Sequence, residues 1–228
     1  MEIRLHPKKV TRVLSSIAGV LLVFHLMGFL PFLSGDSIYP ASYFDFDAER
    51  NIPTLFSSFL LVFCALLIGA ISIAVKRSGG KYLLWLFLGV VFLFIGIDEA
   101  VMIHERIGDR VHLMLNTDGF LYYAWVIPYG VMVIALGVFY LPFLLRLPAE
   151  TRKGCVIAAV LYVGGGLGME LPQSAWFVTH GDDGVFIAIA TVEELLEMSG
   201  CIVFIHTLCS YIDRHHPNLS FRITTQES

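Results

Sequence analysis

Residues 53–75 read PTLFSSFLLVFCALLIGAISIAV, twenty-three consecutive positions without a charge. As a helix this stretch rises about 34 Å at 1.5 Å per residue, enough to cross a hydrocarbon core of about 30 Å. The same reading, carried outward along the chain, finds five more apolar stretches of spanning character, at 10–33, 82–105, 120–145, 155–172 and 184–212. The fifth of the six, 155–172, is short and rich in glycine (Gly164, Gly165, Gly166, Gly168), and its GGGLG run reads as close helix packing rather than a nucleotide loop. Hydrophobic residues make up 57% of the 228-residue chain and charged residues only 15%, far outside the soluble range. Lipid leaves a helix as the natural spanning element, so the expected fold is all-α: one polytopic transmembrane bundle over 1–228.

The amino-terminal MEIRLHPKKVTRVLSSIAGVLLVF places basic residues before an apolar run, as a signal peptide does. It has no convincing small-residue cleavage site and is long enough to span, so it reads as a retained first helix. Lys and Arg then set the orientation. With the amino terminus in the cytoplasm, twelve fall in inner segments, and only Arg50, Arg106 and Arg110 fall in outer ones. That bias predicts both termini inside. The outer loops are acidic instead, and SGDSIYPASYFDFDAERN after the first span reads mainly as a solvated loop with interfacial aromatics, a cap over the outer mouth being the less favoured alternative. Cys64, Cys155, Cys201 and Cys209 fall in spans or near the inner face and suggest neither disulfides nor a C-x-x-C site. Nothing in the chain points to nucleic acid.

The chemistry lies in the acids. Of 19, eight fall in outer loops and four inside, which leaves Asp98, Glu99, Glu105, Glu170, Glu193, Glu194 and Glu197 in or at the ends of spans. Each ionised carboxylate at a helix centre costs about 2.5–3.5 kcal/mol on the insertion scale, so it asks for a proton, a partner, water or a cation. The third span ends GIDEAVMIHERIGDRVH, and a continuous helix would put Asp98, Glu105, Asp109 and His112 on one stripe flanked by Glu99 and His104. The sixth contains TVEELLEMSG, with Glu193 and Glu194 four and three residues before Glu197. Glu170 is expected near the outer end of the fifth span and His25 in the outer half of the first. His25 and His206 read as structural histidines, and Pro128 as a source of a kink in the fourth span. Oxygen and imidazole donors on several helices are the ingredients of an iron, zinc or manganese site, although neither Glu-x-x-His nor His-Glu-x-x-His occurs.

The segments GIDEAVMIHE and VEELLEMSG resemble motifs of uncharacterised multipass membrane proteins of bacteria, in which an Asp-Glu…His-Glu element precedes a Glu-Glu…Glu-Met element. The resemblance implies a site at Asp98, Glu99, His104, Glu105, Glu193, Glu194 and Glu197, and a bacterial inner membrane as the location. It implies no reaction. On the sequence, the favoured reading is a metal-dependent intramembrane enzyme for a lipid or small apolar substrate, with a divalent metal among these side chains and Glu105 and Glu194 as the catalytic carboxylates. A metal-ion or proton transporter and an ion-binding subunit or sensor stand as alternatives.

Overall fold

The charge-free stretch folds as helix α2 (Ile52–Arg77), begun by the Asn51 side chain, which accepts from Thr54 N–H, and by Pro53 in the first turn. A turn through Gly79, at φ 78°, returns the chain into α3 (Leu83–Val101). The two helices lie close because Gly96 of α3 faces Val62 and Leu61, and Ser58 Oγ–H donates to the Gly96 carbonyl at 2.6 Å. The computed structural model describes residues 2–3, 6–33, 43–217 and 221–222, and within them six helices are long and apolar enough to cross a membrane. The first part of the loop after the first span, 34–42, lies outside the described residues.

The remaining order is α1 (Pro7–Leu33), α4 (Ile103–Leu115), a 3₁₀ turn (Gly119–Leu121), α5 (Val126–Arg146), α6 (Ala149–Val163), a π turn (Gly164–Met169), α7 (Glu170–His180) and α8 (Gly184–His215). Helix α8 is the central post. Its Cys201, Ile205, Leu208 and Cys209 pack in one core with Leu60, Leu61, Leu67 and Ile68 of α2 and with Leu14 and Leu21 of α1. Gly200 lets α8 meet α6 closely, since a Cβ there would lie 2.7 Å from Tyr162 N. Helix α5 is peripheral: Val126 is its only buried residue, and Val131, Ile134 and Val138 face outward. Such an apolar exterior belongs in lipid. Glu2–Ile3 pairs antiparallel with Phe221–Arg222, so the two ends of the described chain meet on one face, called here the terminal face.

Three expectations are corrected. The third span does not continue through His112: it stops at Met102, held in the left-handed region at φ 59°, and α4 leaves as a separate helix. The Asp98–Glu105–His112 stripe is therefore broken, and His112 turns to Thr117 and Tyr122. The fifth span is long rather than short, running Ala149–His180 through the π turn, which sets Glu170 ten residues below its end. Pro128 sits in the first turn of α5, where backbone N–H groups have no partner within the helix, so it frees no carbonyl.

Candidate functional site: an acid-lined chamber

At the α3–α4 break the chain must turn without glycine, and Asp98 makes the turn possible. Its Oδ1 accepts the His104 backbone N–H at 2.7 Å and lies 3.2 Å from His104 Nδ1; its Oδ2 accepts the Tyr129 hydroxyl at 2.6 Å. Holding a methionine in the left-handed region costs about 1–2 kcal/mol, which these bonds offset. Asp98 is 2% exposed and thereby ties α3, α4 and α5 together. His104 lies edge-on to Trp125 at 5.0 Å, and buried Gly108 lets α4 rest against Trp125.

The other acids face the same space. Glu193 and Glu197 lie nine and thirteen residues into α8, about 14 and 20 Å from its Gly184 end. Glu170, at the start of α7, lines the same cavity as Glu193. Opposite, Gly165 and Gly166 of the π turn leave room for Glu197: a Cβ on Gly165 would lie 2.9 Å from Glu197 Cγ, and one on Gly166 would overlap Glu197 Oε1. The glycine run thus packs against a buried acid as well as a helix. π turns recur at functional sites for this kind of local opening.

The roof comes from residues 43–51. Phe46 N–H donates to His25 Nδ1 at 3.2 Å, the His25 and Phe46 rings stack, and His25 Nε2 lies 2.8 Å from Thr191 Oγ1. His25 is fully buried and clamps this segment to α8. Asp47 is held in turn by Gln173 Nε2–H at 3.1 Å. The described part of the loop after α1 therefore caps the site, which corrects its reading as merely solvated.

These walls enclose a cavity of about 280 Å³. All eight sequence-selected residues line it: Asp98, Glu99, His104, Glu105, Glu170, Glu193, Glu194 and Glu197. Asp47 and Glu49 join them, as do Tyr123, Tyr129, Tyr162 and Gln173, none of which the sequence marks as a site residue. The alternation of Phe44 and Phe46 with Asp45 and Asp47 was the available signal for the roof. Among the described residues the lining has nine carboxylates, one imidazole and no lysine or arginine. As the side chains stand, no three His, Cys, Asp or Glu among the described residues gather closely enough to hold a metal. His206, paired with Thr11, lies elsewhere.

Electrostatics at the mouth follow from crowding. Burial works against an imidazolium at His104, but the Asp98 bond and the charges of Asp98, Glu105 and Glu99 outweigh it and push His104 up to about 9. Burial, then the charges of Asp45 and Asp182, push Asp47 up to about 7. Burial also raises Glu49 and Glu105 above the usual carboxylate range, with His104 opposing in both. His104 is thus a fixed positive charge at neutral pH, already committed to Asp98. Glu105, whose side chain is 38% exposed, is the acid that reaches from the chamber toward water.

No curated protein and no solved structure matches this chain. One family model does, over residues 14–212, which includes both acidic helices, the π turn and the roof: the chain belongs to the family described as Domain of unknown function (DUF8692).

Proposed function

We propose that this multi-pass membrane protein is a divalent-metal-dependent enzyme acting on a lipid or another small apolar substrate within the bilayer. The observation that carries the reading is the balance of groups in the chamber, nine carboxylates against one imidazole with no lysine or arginine among the described lining residues. A buried negative excess of this size calls for cations. Glu99, Glu194 and Glu197 are the favoured ligands, facing one another across α3 and α8, with Glu170 and Glu193 beside them. Asp98 and His104 are better suited to shaping the wall, since both Asp98 oxygens already accept hydrogen bonds. The ligand side chains must close on the ion as it binds. All-oxygen donors favour manganese or iron over zinc. A bound ion of this kind supplies a Lewis acid and activates water. The chain's own part is to hold it, to limit bulk water beneath the 43–51 roof, and to pass protons at the mouth through Glu105.

Transport is the weaker reading, because the acids lead nowhere. Beyond Glu197 toward the terminal face, α8 presents Cys201, Ile205 and Leu208 to Leu60, Leu67 and Ile68 of α2. The buried hydroxyls there are spent locally, Thr207 on Val203 O and Ser72 on Tyr82 O. The Lys and Arg bias supports termini in the cytoplasm, with the chamber toward the outer side of a bacterial inner membrane.

Metal content of the protein purified into lipid nanodiscs tests the proposal. We expect a stoichiometric divalent ion, lost in a Glu194→Gln/Glu197→Gln variant, and lipid extracts that differ between cells with and without the protein. No retained metal after loading with manganese, iron and zinc overturns the metal; unchanged lipid profiles overturn the enzyme.

A further inference from the structure

A second cavity, of about 310 Å³, lies against the acid chamber on the side of the terminal face, between α3, α5, α6 and α8. Ile95, Val133, Tyr162 and Val163 line both, so they form the threshold between the two. The second cavity is oily: Trp85, Leu88, Phe92, Phe143 and Phe204 dominate, and the Tyr140 hydroxyl on its wall is spent on Leu84 O at 2.9 Å. Along α3 it extends from Ile95 to Trp85, ten residues or about 15 Å, half the thickness of a hydrocarbon core. Neither cavity is sealed, and together they fall within the roughly 300–1,000 Å³ of small-molecule sites.

We infer that the two cavities form one site for a single-chain amphiphile with a neutral or cationic polar end, the head among the carboxylates and the alkyl chain in the oily cavity. The inference rests on the reading above only in taking the acid chamber as the place of reaction. Three features support this occupant. The polar and apolar linings are segregated across a shared threshold, the pattern an amphiphile needs and a wholly apolar ligand does not. The head chamber is lined by nine carboxyl groups and, among the described residues, no lysine or arginine, which disfavours an anionic end. Gln173, 6% exposed and part of the chamber wall, has an Oε1 without a hydrogen-bond partner among the described residues, an acceptor suited to an ammonium or hydroxyl donor. Helix α5, buried only at Val126, is the wall that lets a chain enter from lipid.

The end of the cavity away from the threshold carries Trp85 and Phe143, whose rings meet edge to face at 5.1 Å, so the cavity limits chain length. Gly137 lines it, and a Cβ there meets nothing within 4 Å, so Gly137→Leu fills the cavity without strain on the backbone. The test is displacement of a fluorescent alkyl probe from the full chain in nanodiscs by primary alkylamines from hexylamine to hexadecylamine, with the matching fatty acids alongside. Affinity is expected to rise about fourfold per methylene until the cavity is full and then to level off. Gly137→Leu should weaken the longer amines at least about tenfold while leaving hexylamine within about twofold. Gly137→Ala, which adds one methyl to the same wall, should fall between wild type and Gly137→Leu. A profile that Gly137→Leu does not move, an affinity independent of chain length, or fatty acids that bind as well as the amines overturns the inference. Loss of the metal reading alone leaves these results standing, since the measurement needs no ion.

Discussion

Replacing Asp98 by Asn should uncouple the mouth of the chamber from pH. Asp98 holds His104 by two contacts to Oδ1, at 2.7 Å from the backbone N–H and 3.2 Å from Nδ1, and the imidazole titrates at about 9 rather than 6.5. That difference corresponds to about 3 kcal/mol of preference for the folded imidazolium. Because the folded value is raised, the stabilisation is fully present below about pH 6.5 and is lost as pH rises through about 9. Asn keeps an oxygen for the backbone N–H but removes the charge, and its amide forces the Tyr129 hydroxyl to accept instead of donate. The His104 midpoint should therefore fall toward or below 6.5, and most of the fall in thermal stability between pH 6.5 and 9 should vanish. The assay is histidine-selective NMR of chelator-treated protein in nanodiscs, with melting followed over the same range. A wild-type His104 midpoint near 6.5, or one that Asp98→Asn leaves in place, would refute the reasoning.

Other consequences are simpler to state. Gly166→Ala puts a methyl where Glu197 Oε1 now lies; the carboxylate should swing away at a cost of about 1 kcal/mol in stability, and metal retention should fall far more than melting does. Met102→Gly should relieve the left-handed strain and leave stability equal or up to about 1 kcal/mol higher, whereas Met102→Val should lose more than about 1 kcal/mol, both read by denaturation. Asp47, raised to about 7, favours the closed roof while protonated, so closure weakens as pH rises from about 4 through 7. Asp47→Asn should therefore slow hydrogen exchange over 43–51 at pH 8 relative to wild type, and faster exchange would contradict the assignment.

The spans were legible because the bilayer imposes one requirement, uninterrupted apolar length, that a sequence states openly. The acids were legible for the converse reason: a carboxylate in such a stretch is expensive and stands out, and all eight selected residues do share one cavity. What failed was local geometry decided by distant partners. Met102 carries no turn signal, since the break there is made by Asp98 reaching forward to His104 and by Tyr129 from another helix. A continuous helix through Met102 would carry His112 on the Asp98 stripe, and the break there turns it away. Asp47 looked like a loop acid because its burial depends on Gln173, 126 positions away, and on a roof fastened by His25. The glycines at 164–168 were read as packing, but their fit to a carboxylate needs the π register, which no glycine spacing announces.

The single base among the described lining residues sharpens the question of what balances the acids. His104 is held by Asp98, so its charge is committed at the wall and the deeper carboxylates gain little from it. Glu170 and Glu193 line the same cavity, and no lysine or arginine among the described residues lines it with them. The remaining counter-charges available from outside are protons and metal ions, and the two compete for the same oxygens. Manganese binding should therefore expel protons, with net release measured by calorimetry in buffers of different ionisation enthalpy. Release should diminish in Glu170→Gln, which keeps a hydrogen-bonding amide but removes one acid from the chamber. Binding without proton release would mean that the acids are ionised before the ion arrives, and the claim that protons balance them in its absence would then fail.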